Sequence, residues 1–340
     1  MSETSTNVQI RLRERPEGAP SAATFETTRE AAPEIGEGQV LVRNLMLSLD
    51  PAMRGWISDR KSYIEPVGLG DVMRGLTVGE VAASRHDAFA VGDRVSGSLG
   101  WQEWAAAEAR ELQKLPPEGP LEWYLGPLGM TGLTAYFGLL DIADLREGDI
   151  VLVSAAAGAV GSVVGQIAKI KGCRVIGTAG TDEKCAWIRD ELGFDAAINY
   201  KRDDLDAALR EAAPKGIDVY FDNVGGELLD LALRLLRRGA RIALCGAISQ
   251  YNAMDDVRGP SNYLSLLVNR ARIEGFIVFD FAPRYGEALA ELGQWVQDGK
   301  IQARFEIVEG LENAPQALGR LFDGSKSGKL VVRIAQPAAR

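Results

Sequence analysis

The stretch Val153–Gly172, VSAAAGAVGSVVGQIAKIKG, sets an alanine and glycine cluster between a run of β-branched residues and a helical repeat. Just upstream, Asp149–Ser154 (DIVLVS) is a nearly continuous apolar run without polar alternation, the pattern of a parallel strand covered on both faces. From Ala159 onward Val160, Val163, Val164, Ile167, Ala168 and Ile170 recur at helical spacing, and Gly172 suits a left-handed helix stop. The segment reads as strand, tight turn and helix. At such a turn Gly158 lets a pyrophosphate approach the backbone, Gly161 lets the helix pack close to the strand, and the helix N-terminus offers N–H groups to an anion. Ala156 stands where the first glycine of G-x-G-x-x-G falls, so the same residues also fit an ordinary strand-to-helix turn, and the surroundings must decide.

Downstream the alternation continues. Cys173–Thr178, Ala196–Asn199, Ile217–Asp222, Ala240–Cys245 and Arg272–Val278 read as strands, and Asp182–Leu192, Asp204–Ala213, Glu227–Arg237 and Pro283–Lys300 as helices. Six strands with helical crossovers make two mononucleotide-binding halves. Right-handed crossovers and a glycine loop after the first strand predict an α/β Rossmann fold, a doubly wound parallel sheet of order 3-2-1-4-5-6 with a dinucleotide at its switch point. The end of the second strand tells which dinucleotide. An NAD site has an Asp or Glu there for the ribose hydroxyls. Here the place holds Thr178, Ala179 and Gly180, with Lys184 soon after and Tyr200 and Lys201 at the end of the third strand. That composition suits a 2′-phosphate and predicts NADPH. Thr181 as a helix cap explains Asp182 and Glu183 without a ligand. Asp182 on a ribose is the competing NAD reading, and Lys184 equally fits a solvated helix lysine.

The N-terminal part is organised differently. Gln39–Leu49, Leu76–Ala82 and Asp93–Ser98 look like strands broken at short intervals by Gly and Pro, which predicts a small irregular β domain of barrel type. Phe305–Val308 and Lys329–Ile334 are again strand-like, after the nucleotide domain has ended. The expected division is therefore 1–125 with 301–340 returning to it, and 126–300 as the dinucleotide-binding domain, in a chain of 340 residues that is too long for one core.

Composition narrows the function. A formal charge of -9 with no Lys/Arg run argues against nucleic acid or an anionic membrane as partner. The opening MSETSTNVQIRLRERPEGAP has no apolar core of a signal peptide, and no run approaches the ~18 apolar residues of a membrane span, so a cytoplasmic protein is expected. Cys173, Cys185 and Cys245 lack C-x-x-C spacing and fit reduced thiols. No cysteine precedes Cys173, and the one histidine, His86, lies in a polar turn, so the ligands of a catalytic or structural zinc are missing and no metal is expected. The lone histidine also makes a hydrolytic triad unconvincing. Hydride transfer survives.

The motifs LSLDPAMRG, FAVGDRV, GMTGLTAYFGLL, SAAAGAVGSVVGQIAKIKG, GTAGTDEK, INYK, VYFDNVGGE, CGAISQYN, EGFIV and GLENAP together resemble the medium-chain dehydrogenase/reductase superfamily. More narrowly they resemble its zinc-free branch of prostaglandin reductases, leukotriene hydroxydehydrogenases, curcumin reductases and 2-alkenal reductases, from about Val40 to Arg333. The resemblance implies an NADPH-dependent reductase of the carbon-carbon double bond in small apolar α,β-unsaturated ketones and aldehydes, a homodimer, with a GroES-like β-barrel as first domain. It puts Gly158, Ala159, Val160 and Gly161 on the pyrophosphate, and Lys184 and Tyr200 at the adenosine phosphate. It has Asn223, Cys245, Gly246, Ala247, Ile248, Ser249, Gln250, Tyr251, Phe276, Ile277 and Val278 line the cofactor, with Met130, Thr131 and Gly132 near the nicotinamide. Cys245 and Phe276 equally fit strand core, and Asn223 a turn cap.

The chain departs from the family pattern at three places. Ala52 replaces the tyrosine of a frequent DPYMR, Val268 stands where many plant members carry a tyrosine, and Lys326 takes the cofactor-side place of an asparagine before the Gly-Lys pair. Tyr63 (KSYIEP) matches a pocket tyrosine in one group of prostaglandin reductases and is the expected catalytic donor, with Tyr263 as the alternative. Each also fits a packed amphipathic aromatic. Quinone reduction on the same scaffold, and NADPH binding without catalysis, are the readings from other classes.

Overall fold

The chain divides into two units. The computed structural model describes residues 6–253 and 256–337. One unit runs to Leu125 and takes in Phe305–Lys326 and the chain from Leu330; the other is Gly126–Arg304 with Ser327–Lys329.

In the first unit, seven strands form one sheet. Its hydrogen-bonded order is Phe305–Glu309, Lys329–Arg333, Gln39–Ser48, Thr77–Ser84, Arg94–Gly97 and Gln113–Lys114, with Trp104–Glu108 paired to Gln39–Ser48. Gln39–Ser48 alternates at first, with Val40 and Val42 inward, and then is buried without a break from Asn44 to Ser48. Its length lets it serve two clusters: Val40 and Val42 pack with Val81 and Val95, and Leu47 packs with Met53, Trp101 and Leu318. A separate antiparallel pair, Thr6–Leu12 with Phe25–Ala31, escapes the sequence reading. Val8, Ile10 and Leu12 do alternate with polar residues as a strand requires, with Ile10 and Leu12 in the core, while the buried amides Asn7 and Gln9 on the other face bond to the Gln102 side chain at 3.3 and 2.8 Å.

In the second unit the elements run α1 (Met130–Phe137), β1 (Ile150–Val153), α2 (Ala159–Ile170), β2 (Arg174–Ala179), α3 (Asp182–Ala186), β3 (Ala196–Asn199), α4 (Leu205–Ala212), β4 (Ile217–Asp222), α5 (Gly226–Arg234), β5 (Leu236–Leu244), α6 (Leu264–Asn269), β6 (Arg272–Gly275) and α7 (Tyr285–Gln297). The strands are parallel, and their hydrogen-bonded order is β3-β2-β1-β4-β5-β6. The connections leave β1 toward β2 on one side and return toward β4 on the other, which opens a crevice beyond the carboxyl ends of β1 and β4. One face of the sheet is filled by Leu152, Ile176, Ile198, Tyr220 and Ile242 against the leucines of α5.

Several elements differ from the sequence reading. The helix expected to reach Arg237 ends at Arg234, and β5 begins at Leu236, because the run Leu228 to Leu236 satisfies either periodicity until Gly239, at φ 77°, bends the strand. β6 stops at Gly275: the Phe276 ring turns to Gly138, where a Cβ would come within 2.4 Å of it. α6 was not expected at all. It ends without glycine, at Arg270, whose φ of 51° is left-handed.

Arg241 on β5 ties the sheet to the turns after α1. Its guanidinium donates to the carbonyls of Ala143 and Asp144, each at 3.0 Å, and to the Asp149 carboxylate, and both ion-pair partners are buried. Arg241→Ala leaves Asp149 charged and buried without its cation, and should cost about 3 kcal/mol. The expected readout is a lower urea midpoint with the slope of the transition unchanged. An unmoved midpoint would show the pair to be dispensable.

Candidate functional site

The turn after β1 is built for close approach. Ala155 adopts φ 47°, a left-handed conformation that costs a non-glycine residue roughly 1 kcal/mol. The next residue, Ala156, donates its N–H to Thr178 O at 2.9 Å and so fastens the turn to β2. Gly158 is the extended residue before α2, and its N–H closes the turn on Ala155 O at 2.8 Å. A Cβ on Gly161 would lie 2.5 Å from Ala155 O, so only glycine lets α2 sit on the turn. The N–H groups of Ala159, Val160 and Gly161 open the helix, where no intrahelical acceptor exists and the dipole favours an anion. Gly328 donates to Ala157 O at 2.9 Å, which lays Ser327–Lys329 beside the turn; Lys326 is the half-buried residue just before it.

At the end of β2, a Cβ on Gly180 would lie 2.9 Å from the Tyr200 hydroxyl and 3.4 Å from Lys201 Cε. Both side chains therefore fold over the glycine. The nearest acid is already engaged: the Asp182 carboxylate accepts from Asn199 Nδ2 at 2.8 Å and from Arg202 at 2.7 Å. Lys184 lies in the first turn of α3, which Thr181 caps by accepting the Lys184 N–H at 3.3 Å. What converges here is basic and phenolic, and the competing ribose role for Asp182 is met by protein partners.

Beyond β4 and β5 the predicted cofactor residues are laced together. Cys245 and Gly246 donate to Asp222 O at 2.9 and 3.0 Å, Ile248 to Asn223 O at 3.2 Å, and Ser249 to Val224 O through both N–H and hydroxyl. The Tyr251 hydroxyl accepts the Ala247 N–H at 3.3 Å and fills the place a Cβ on Gly246 would need. Gln250 donates outward, to Arg258 O. Burial pushes the Cys245 thiol up to about 12. Asn223 Nδ2 donates to Ser154 O at 2.8 Å. A carbonyl can only accept, so the amide nitrogen faces Ser154 and the amide oxygen turns away from it.

Other predicted residues have packing work of their own. Phe276 meets Phe221 edge-on at 6.3 Å, Ile277 is half-buried, and buried Val278 accepts the Tyr285 hydroxyl at 3.0 Å. Met130 opens α1, Thr131 donates its hydroxyl to Gly126 O at 2.9 Å, and a Cβ on Gly132 would strike Pro127 O at 1.9 Å.

The two candidate tyrosines lie in different units. In the first, Trp56 at the end of the short helix Met53–Trp56 donates its indole N–H to the Tyr63 oxygen at 2.9 Å. Arg74 stacks over the Trp56 ring and donates to Glu65 O at 2.9 Å, and Val67 donates to Trp56 O at 2.8 Å, so the loop carrying Tyr63 is held at several points. Tyr63 is 49 % exposed; the partial burial of its phenol pushes it above its ordinary value, against the opposing effect of the Trp56 bond. Ala52 is the half-buried residue that starts this helix. In the second unit Tyr263 opens α6 and is 59 % exposed beside Leu264, Leu267 and Val268, all of them exposed.

The sequence reading passed over Trp56, Ser154, Tyr220 and Asp222. Only Asp222 carries a signal, as an acid that closes a buried strand run just before a Gly-Gly pair. Among the described residues no group of three or more His, Cys, Asp or Glu could hold a metal ion, and no helix is long and apolar enough to cross a membrane.

Residues 8–115 match the family model of the N-terminal domain of oxidoreductases, and residues 159–294 that of zinc-binding dehydrogenases. The chain is 46% identical to the NADPH-dependent curcumin reductase of Escherichia coli, over 95% of this chain and 96% of the relative. It is 44% identical to prostaglandin reductase 1 of Bos taurus, over 93% and 95%. A solved structure of CurA from Vibrio vulnificus in complex with NADPH superposes with a TM-score of 0.93 at 48% identity, over 97% of this chain and all of that one. A glycine-turn dinucleotide fold with such relatives defines a medium-chain dehydrogenase/reductase. The chain belongs to the branch of that superfamily that holds the prostaglandin, curcumin and 2-alkenal reductases.

Proposed function

We propose that the protein uses NADPH to reduce the carbon-carbon double bond of small apolar α,β-unsaturated ketones and aldehydes. The observation that carries the reading is the end of β2, where Gly180 is covered by Tyr200 and Lys201 and the Asp182 carboxylate is bonded to Asn199 and Arg202. Such a place fits a 2′-phosphate better than a ribose hydroxyl, since the side chains folded over the glycine are a phenol and a lysine and Asp182 is held by protein partners. The NADPH complex of the 48% identical relative supports it.

On this reading, residues 1–125 with 301–340 are the GroES-like substrate domain, and 126–300 hold NADPH. Gly158, Ala159, Val160 and Gly161 hold the pyrophosphate, and Lys184, Tyr200 and Lys201 the adenosine phosphate. Asn223, the segment 245–251 and Phe276, Ile277 and Val278 line the rest, with Met130, Thr131 and Gly132 at the nicotinamide and Lys326 at the phosphates. Bound NADPH supplies a hydride to the β-carbon of the substrate. Negative charge then builds on the substrate's carbonyl oxygen, and a hydroxyl aimed at it is worth more in the transition state than before. Tyr63 is the donor we assign, because it matches the pocket tyrosine of one group of prostaglandin reductases and its phenol, raised above its ordinary value, stays protonated at neutral pH. Tyr263 is the second candidate.

We also infer a homodimer. β6 is the edge strand of its sheet, and α6 presents apolar side chains to solvent, with Leu267 76 % exposed. Antiparallel pairing of two β6 strands about Ile273 sets each Arg272 opposite a Glu274, so the edge is complementary to itself. Sedimentation should give twice the chain mass, and Leu267→Glu should give single chains. Single chains in the parent protein would refute the dimer.

Two catalytic predictions follow from these assignments. NADPH oxidation should be seen with alkenals and enones, and Lys184→Ala should weaken NADPH binding by ~1 to 3 kcal/mol while leaving NADH nearly untouched. Equal affinity of the parent for both cofactors would sink the phosphate assignment, and turnover confined to quinones would move the protein to the quinone reductases. Tyr63→Phe should lower kcat for a small enone about 100-fold with NADPH affinity unchanged. In the parent, activity that depends on this phenol should persist through neutral pH and fall only above 10, as the raised ionisation requires. Parent-like turnover by Tyr63→Phe would leave Tyr263 or solvent as the proton source.

A further inference from the structure

A densely bonded buried carboxylate of the second unit lies at the switch point. Ser154 follows β1 and Asp222 ends β4, the two strands whose carboxyl ends border the crevice. Asp222 Oδ1 accepts from the Tyr220 hydroxyl at 2.7 Å, from the Ser154 hydroxyl at 3.2 Å, and from the N–H groups of Val224 and Gly225, each at 2.9 Å. Its other oxygen, Oδ2, is buried with no partner. Ser154, Tyr220 and Asp222 are all fully buried.

The same serine holds the neighbouring amide twice. Ser154 Oγ accepts the Asn223 N–H at 2.7 Å, and Ser154 O accepts Asn223 Nδ2 at 2.8 Å. The glycines that follow take positive φ values, 68° at Gly225 and 57° at Gly226, so the chain turns sharply just after these N–H groups. Burial pushes the Asp222 carboxyl above its ordinary range, with the donors opposing. A strand end needs no such group to stay in a sheet, because β4 is already paired on both sides. The crowding of four donors on one oxygen fixes instead where the residues after the strand can lie.

We propose that Ser154, Tyr220 and Asp222 are positioning residues that hold Asn223 with its amide oxygen presented to the nicotinamide half of the cofactor. The oxygen would accept from a hydroxyl or amide N–H there. Asn223 is the residue that touches, and the buried trio acts through it. The inference rests on the reading of Asn223 as a cofactor contact.

Binding of NADPH alone, followed by its fluorescence on the full-length protein, tests this without turnover. Asn223→Ala and Asp222→Ala should each weaken binding about tenfold, and the double variant should be no weaker than the worse single one, since the second loss acts through the first. Asp222→Asn keeps an accepting oxygen and should bind within about twofold of the parent. Should Asp222→Ala fail to fold, Ser154→Ala takes its place in the cycle with the same expectation of non-additivity. Additive losses, or unaltered binding by both Ser154→Ala and Asp222→Ala beside a weakened Asn223→Ala, would overturn the positioning role and leave the cofactor contact standing. Unaltered binding by Asn223→Ala would overturn both.

Discussion

How near α2 can come to the turn before it governs the carboxyl edge of the second sheet. The missing methyl at Gly161 lets the helix begin against Ala155 O, and the strained Ala155 and the Ala156 N–H bonded to Thr178 O hold the turn in the shape that the helix start needs. With α2 in that place, its first N–H groups, which have no intrahelical acceptor, face the crevice beyond the strand ends. A larger residue at 161 would move the helix or the turn by a sizeable fraction of an ångström, since the atom it meets is backbone. The same constraint explains why an alanine is tolerated at 156: the place where the common motif has its first glycine is buried but lies beside the residue that makes the left-handed turn.

The strands of the second unit are legible in the sequence because parallel strands covered on both faces must be apolar throughout. Their edges are less so. Leu235 and Leu236 fit a helix end as well as a strand start, and only the tertiary pairing of Leu236 with Ile217 decides. In the first unit Thr6–Leu12 carries a legible alternation of Val8, Ile10 and Leu12, but its partner Phe25–Ala31 is polar and mostly exposed after Phe25, and the bonds of Asn7 and Gln9 to Gln102 and Trp104 join residues far along the chain.

The same division runs through the site. The absence of an acid after β2 is a local fact and can be read from residues 178–180 alone. The bonds of Asp222 cannot, because the serine that completes them lies 68 residues earlier. Trp56 is likewise silent in sequence: nothing in DPAMRGW says that its indole N–H meets a phenol seven residues on. Groups that hold functional side chains in place are joined across the fold and leave no pattern along the chain.

The proposed substrates bring a physical demand of their own. Conjugated carbonyl compounds are electrophiles at the β-carbon, and the thiolate is the nucleophile they would find first in a protein. Burial pushes Cys173 up to about 11 and Cys245 up to about 12, and raises Cys185 as well. Cys173 and Cys185 are also sealed from solvent. All three thus stay in the unreactive thiol form at neutral pH. The burial that keeps them protonated is the packing of the nucleotide-binding unit itself, so the core that carries the glycine turn also leaves the chain with little reactive sulfur to lose to compounds of that class.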